Sequence, residues 1–233
     1  MTTNGRDSLI LALDVATEAE ALELAAATGE HVGCMKVGLR LFTSAGPGLV
    51  RRLRTEGHRV FLDLKFHDIP NTVADASRAA TALGVDYFTV HTPGGPEMLK
   101  ASLEAAWDEA ARLGTAPPVI LAVTVLTSLP APESEVVRRA AAAWEAGIRG
   151  VVASPREARA LRETLGPEAT IVTPGVRPSW AAADDQRRVA TPADAISAGA
   201  THIVVGRPIT TADEPREAAR RVREEIEEAH SRG

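Results

Sequence analysis

The chain has 233 residues, of which 45 % are hydrophobic and 24 % charged, and a formal net charge of −5. Length and apolar content suit one large α/β domain with a sizeable core, and we read residues 1–233 as a single domain. The acidic balance argues against a general binder of nucleic acid or of membrane surfaces. Aromatic residues make up only 3 %, so the core must be built from Ala, Val, Leu and Ile. The one cysteine, Cys34, forms no intramolecular disulfide, which fits a reducing compartment. The first residues, MTTNGRDSLI, lack a signal-peptide layout and no long apolar run follows, so the expectation is a soluble cytoplasmic protein.

Strand and helix signals alternate along the chain. Leu9 to Val15 reads as a strand running to Asp14, and Thr17 to Ala27 as a helix with Thr17 and Glu20 in a capping box. Gly33 to Val37 is a short strand with Cys34 and Lys36 on one face, followed by a helix over Gly46 to Glu56. The segment from Arg59 to Val73 reads RVFLDLKFHDIPNTV. Val60, Phe61, Leu62 and Leu64 give it the character of a buried strand, interrupted by Asp63 and Lys65. Side chains two apart on a strand share a face, so Asp63 and Lys65 stand together, and Asp68 follows at the turn. Asn71 or Thr72 then caps a helix over Thr72 to Leu83.

Val85 to His91 is a strand and Pro96 to Leu113 a helix. Pro118 to Leu126 is a strand, and Ser134 to Ala146 a helix. Gly150 to Ala153 is a brief strand, with a helix over Pro155 to Leu165. Thr170 to Thr173 is a strand, with a helix over Pro192 to Ala198. His202 to Val205 is the last strand and Glu214 to His230 the last helix. Eight strands, each followed by a helix, imply a parallel sheet closed into a (β/α)₈ TIM barrel. The open doubly wound sheet is the alternative, but Asp14-Val15-Ala16 is not the glycine-rich fingerprint that fold carries after its first strand.

A barrel of this kind builds its site at the C-terminal ends of the strands. Polar residues recur there: Asp14, Lys36, Asp63 with Lys65, His91, Thr124 and Thr127, Arg177 and Arg207. Of 26 basic residues only Lys36, Lys65 and Lys100 are lysine. Two of the three lie in apolar strands, where burial lets an ammonium exchange its proton nearer neutrality. A lone Asp-x-Lys is equally compatible with a structural ion pair. His91 has no assigned role, since a lone His at a strand end is more often a hydrogen-bonded core residue.

The last two strands end in Thr173-Pro174-Gly175-Val176-Arg177 and Val205-Gly206-Arg207-Pro208-Ile209-Thr210. Glycine lets backbone N–H groups approach an anion and Arg grips its oxygens, and loops seven and eight of such barrels often hold phosphate.

The segment Asp63-Leu64-Lys65-Phe66-His67-Asp68-Ile69-Pro70-Asn71-Thr72 resembles the signature of the orotidine 5′-phosphate decarboxylase family. The resemblance extends over nearly the whole chain. It takes in Leu11-Ala12-Leu13-Asp14, Met35-Lys36-Val37-Gly38, Ala122 to Ser128 and the two loops just quoted. No motif position departs from the pattern, although the segment between Ser128 and Val136 is short for the family.

The resemblance implies decarboxylation of orotidine 5′-monophosphate to UMP and CO₂, without a metal or an organic cofactor. It assigns Lys65 as proton donor to C6 and places Asp63 beside the substrate carboxylate. Lys36 and Asp68 complete an alternating charge array, with Asp68 supplied by the neighbouring subunit of a homodimer. Asp14, Ile69 and Thr72 serve the ribose and its surroundings, Thr72 also from the neighbour. Thr127 bonds the pyrimidine amide. Arg177, Gln186, Gly206 and Arg207 serve the phosphate, Gln186 from a mobile loop. Two other readings stay open. Sugar-phosphate enzymes of the same superfamily share Asp-x-Lys-x-x-Asp and use Mg²⁺, but resemble this chain less at strand two, where a Glu stands in place of Lys36. A non-catalytic phosphate-ligand sensor is the third reading.

Overall fold

The computed structural model describes residues 4–126, 129–181 and 190–232. Eight parallel strands close into a barrel in sequence order, β1 pairing with β8. They are β1 (Leu9–Ala12), β2 (Cys34–Gly38), β3 (Val60–Phe66), β4 (Tyr87–His91), β5 (Val119–Val123), β6 (Gly150–Val152), β7 (Thr170–Pro174) and β8 (His202–Val205). The helices are α1 (Gly5–Ser8), α2 (Glu18–Thr28), α3 (Leu39–Thr55), α4 (Pro70–Ala82) and α5 (Gly95–Leu113). They continue with α6 (Glu133–Glu145), α7 (Ala158–Leu165), α8 (Pro192–Ser197), α9 (Arg207–Thr210) and α10 (Pro215–Arg232). This is the expected (β/α)₈ barrel.

Alternation along each strand creates two apolar layers. Ile10, Ala12, Cys34, Phe61, Tyr87, Leu121, Val172 and Val204 fill the barrel interior. The alternate positions, such as Leu9, Leu11, Met35, Leu62, Phe88 and Ile203, face the helices in a larger cluster. Strands covered on both sides are apolar almost throughout, which is why they read as continuous runs. Among the described residues no helix is long and apolar enough to cross a membrane.

Local chemistry explains most element ends. The capping box forms as expected: Glu20 N–H donates to Thr17 Oγ1 at 3.3 Å, and Thr17 N–H donates to Glu20 Oε2 at 2.9 Å. Helix α3 begins at Leu39, seven residues before the expected start, and is broken at Gly46, whose φ of 67° only glycine adopts without strain. Helix α4 is capped by Ile69, so neither Asn71 nor Thr72 is the cap. Pro70 takes the first helical position, where its fixed φ suits the helix and its missing N–H costs nothing. The short helices α1 and α9 are too brief to leave a periodic pattern in sequence.

Strands β1 and β5 end earlier than expected, at Ala12 and Val123. At the barrel mouth the carbonyls leave the ladder and find side-chain donors instead. Thr92 Oγ1 donates to Val123 O at 3.1 Å and lies 3.2 Å from Thr124 O, while Arg139 Nη1 donates to Thr124 O at 3.0 Å. Helix α7 begins at Ala158, after a turn over residues 155–157 in which the Glu157 carboxylate accepts the Ser154 N–H at 2.8 Å.

The N-terminal end of the barrel is closed by a hydrogen-bonded floor. Asp86 accepts from Arg54 at 2.7 Å, Arg59 at 3.2 Å and the Val60 N–H at 2.9 Å. Arg59 Nη2 reaches Tyr87 Oη at 2.8 Å, Tyr87 Oη lies 3.2 Å from His202 Nε2, and His202 Nδ1 lies 2.8 Å from Thr201 Oγ1.

Candidate active site

At the opposite end, the C-terminal ends of the strands open into a cavity of about 430 Å³, within the range of small-molecule sites. Strands β2 and β3 bring three of its charged side chains, and Asp14, two residues beyond the end of β1, brings the fourth. Lys36 Nζ lies 3.4 Å from Asp14 Oδ1 and 3.6 Å from Asp63 Oδ2. Lys65 Nζ lies 2.8 Å from Asp63 Oδ1. Asp14, Lys36, Asp63 and Lys65 thus alternate in sign around one wall of the cavity. Lys36 is buried, and Asp63 and Lys65 half-buried, so their mutual attraction is screened less than on an open surface.

Backbone geometry sets the array. Leu62 pairs with Phe88 and Phe66 with Val90, so three residues of β3, Asp63 to Lys65, oppose the single residue Thr89. This bulge turns the end of β3 and re-aims its side chains into the mouth. Lys65 has φ 54°, the left-handed region, and is alone among the described non-glycine residues in having positive φ. That conformation costs about 1–2 kcal/mol for a residue with a Cβ, so its surroundings must hold it there. Gly38 follows Lys36 closely in space: a Cβ at this position would lie 3.3 Å from Lys36 Nζ and 3.6 Å from Asp14 Oδ1. The absence of a side chain leaves room for the ammonium.

The other side of the cavity is built from β7, β8 and their loops, with Gly175, Arg177, Gly206, Arg207 and Pro208 in its lining. Arg177 is half-buried and Arg207 exposed. Phe61, Val123, Val152, Val172 and Val204 give the same cavity an apolar part of its lining. A ligand that combines an anionic group, an apolar or planar part and a polar group matches this lining.

The structure therefore brings Asp14, Lys36, Asp63, Lys65, Arg177, Gly206 and Arg207 into one cavity. It leaves Asp68, Ile69 and Thr72 out of that lining. All three are exposed, Ile69 at 66 %. Asp68 Oδ1 accepts the Ile69 N–H at 2.7 Å, and among the described residues Asp68 joins none of the array's ion pairs. Thr124 is buried and donates to Val152 O at 3.4 Å. Thr127 and Gln186 lie outside the described residues. His91 stacks its ring 5.7 Å from that of His67, and burial, then the neighbouring His67 and Lys65 charges, hold its imidazole below the ordinary range. Sequence reasoning missed Thr89, Gly38 and the apolar lining. Thr89 carries no motif, whereas Gly38 stood inside a quoted motif and was not weighed.

Among the described residues no three His, Cys, Asp or Glu side chains cluster to hold a metal ion. In the array itself, Lys36 already occupies the space between Asp14 and Asp63 that a cation would take.

Comparison with known proteins agrees with this geometry. The curated orotidine 5′-phosphate decarboxylase of Moorella thermoacetica is 52 % identical, over 96 % of this chain and 94 % of that one. That of Heliobacterium modesticaldum is 48 % identical, over 97 % and 98 %. The crystal structure of orotidine 5′-phosphate decarboxylase from Lactobacillus acidophilus superposes with a TM-score of 0.82 at 35 % identity, covering 94 % of this chain and 98 % of that chain. The profile of the orotidine 5′-phosphate decarboxylase / HUMPS family matches residues 7–222, and the chain belongs to that family.

Proposed function

We propose that this chain decarboxylates orotidine 5′-monophosphate to UMP and CO₂, the last step of de novo pyrimidine biosynthesis. The observation that carries the reading is the Asp14–Lys36–Asp63–Lys65 array, with an ammonium, not a carboxylate, at position 36. The family also contains sugar-phosphate enzymes. Their Mg²⁺ requires carboxylate oxygens, and Lys36 repels a cation from the same place.

The chemistry follows from the charges. Loss of CO₂ leaves an electron pair at C6, a carbon with no adjacent electron sink. Its stabilisation must come from charge fixed in advance, acting more strongly on the transition state than on the substrate. The Lys65 ammonium supplies positive field and then the proton that forms the new C6–H bond. Asp63 faces the departing carboxylate, and the repulsion between them vanishes as CO₂ leaves. Lys36 holds Asp63 and Asp14 in register. Arg177, Gly206 and Arg207 take the phosphate at the far end, so binding energy from a remote group positions the pyrimidine. Thr127 is assigned to the pyrimidine amide and Gln186 to the phosphate.

We further propose a homodimer in which Asp68 and Thr72 enter the partner's site. Their exposure outside this chain's cavity supports it, as do the exposed apolar side chains Ile69 and Leu39 on the same barrel face. Asp14 and Ile69 are assigned to the ribose surroundings, and the compartment to the cytoplasm.

The test is the fall in absorbance of orotidine 5′-monophosphate near its ultraviolet maximum, with purified protein in excess EDTA. Turnover is expected. No turnover there, with Mg²⁺-dependent turnover of a sugar phosphate, would transfer the chain to the other branch of the family. Lys65→Ala and Asp68→Ala proteins, each inactive alone, should regain partial activity when mixed. Verified heterodimers without recovery would overturn the shared site.

A further inference from the structure

The bulge in β3 leaves the backbone of Lys65 without its regular ladder partner, because three residues of β3 oppose Thr89 alone. Thr89 supplies the replacement. Its Oγ1 accepts the Lys65 N–H at 2.8 Å and donates to Asp63 Oδ1 at 3.1 Å. Asp63 Oδ1 also accepts from Lys65 Nζ at 2.8 Å. These three bonds form a closed ring through Lys65 N, Thr89 Oγ1, Asp63 Oδ1 and Lys65 Nζ. The Lys65 side chain is therefore held at both ends by the same pair of oxygens.

Thr89 is 1 % exposed, so water does not compete for its hydroxyl. It projects into the barrel from the same face of β4 as Tyr87 and does not line the cavity itself. Its hydroxyl fits both tasks at once: one lone pair takes the backbone N–H and the proton goes to the carboxylate. A valine of the same shape does neither. It would leave a half-buried N–H unpaired in the left-handed residue and one bond fewer on Asp63.

We propose that Thr89 is a positioning residue for the reaction, holding Lys65 in its left-handed conformation and Asp63 in the rotamer that faces it. The inference rests on the proton-donor reading of Lys65 given above. It assigns to β4 a part in catalysis exerted wholly through β3. Displacing an acid by even about an ångström slows its reaction substantially while leaving remote binding contacts in place.

The test is a steady-state comparison of the parent with Thr89→Val and Thr89→Ser, alongside UMP affinity and melting temperature. For Thr89→Val, kcat should fall about 10–100-fold, the size expected for losing a charge-linked hydrogen bond at the reacting group. KM for orotidine 5′-monophosphate and Kd for UMP should stay within about threefold, because the phosphate contacts are untouched. Thr89→Ser keeps the hydroxyl and should recover most of the lost kcat. The proposal is overturned if kcat of folded Thr89→Val lies within about twofold of the parent, if kcat falls only as far as the folded fraction, or if KM rises as much as kcat falls. Should Thr89→Val not fold, Thr89→Ala against Thr89→Ser makes the same comparison, and equal kcat in the two overturns it. Lys65→Ala is assayed in parallel. Activity in Lys65→Ala removes the proton-donor reading itself, whereas an inactive Lys65→Ala beside a fully active Thr89→Val removes only the role of Thr89.

Discussion

Both ends of the barrel carry buried or half-buried charge, and they treat it in opposite ways. At the floor, Asp86 accepts from two arginines and one backbone N–H, and the network runs on through Tyr87 to His202 and Thr201. The strands there keep regular register, Phe61 against Tyr87 and Val172 against His202. At the mouth, register is broken after Leu62, Lys65 is left-handed, and Lys36 stands more than 3.3 Å from each of its two carboxylates. The floor satisfies its groups internally. The mouth leaves an ammonium half-exposed to a cavity, available to something that enters. Similar charges thus serve stability at one end and chemistry at the other, and the difference lies in whether their partners are all in the fold.

This contrast makes separable predictions. The largest effect is expected at the mouth. Lys65→Ala should lower turnover about 10²–10⁴-fold or more, since it removes both the proton and the field it supplies. UMP should still bind and the melting temperature should hold. Retained turnover would show that Lys65 is not the proton donor. Next, Arg207→Ala should weaken UMP about 10–100-fold through the lost charge-assisted bonds to phosphate. Uridine, which lacks the phosphate, should bind as before. Equal weakening of both would refute the phosphate assignment.

At the floor the order reverses. Asp86→Ala removes an acceptor from two solvent-accessible guanidinium groups, which keep His58 O and Tyr87 Oη, and leaves the Val60 N–H without its partner, at a cost of about 1–3 kcal/mol. At about 2–4 °C per kcal/mol for a chain of this size, the melting temperature should drop by several degrees. kcat of the folded fraction should not change. A large fall in kcat would mean that the two ends are coupled and the contrast is false.

The smallest effect concerns pH. Burial pushes the His202 imidazole down to about 4, with the Arg59 charge adding to it, from an ordinary value of 6.5. Between those two values the unfolded chain binds more protons than the folded one, so stability falls as acid is added. The contribution is complete above about pH 6.5 and lost as pH drops towards 4, on the order of 3 kcal/mol at most. His202→Gln, which keeps a hydrogen-bonding group without the titration, should flatten the melting temperature against pH in that window. An unchanged slope would remove His202 as its source.

Much of the site was legible because it lies in short local patterns. Asp63 and Lys65 are two apart on one strand, and Gly206 and Arg207 are adjacent at the end of another, so sequence spacing alone places them. Lys36 and Asp14 required the barrel to be inferred first, since they meet across β1 and β2. Thr89 was not legible. It is one β-branched residue in an apolar strand, and its role appears only where two strands fall out of register. The cap of α4 was misread for a similar reason: polar side chains at Asn71 and Thr72 suggested a cap, but the rigid ring of Pro70 starts the helix before them.

The alternation of apolar strands and helices by itself determined the closed parallel barrel, because each βαβ unit has a fixed hand and eight of them close. Residue types at strand ends determined which charges reach the mouth. Only the tertiary structure decided which of those charges face one another, that Asp68 and Thr72 lie exposed outside the lining of their own chain's cavity, and that Lys65 is held by a hydroxyl from the next strand. The physical reason is range. Periodicity and propensity act over a few residues, whereas a bulge and the hydrogen bonds that compensate it depend on how two distant strands meet.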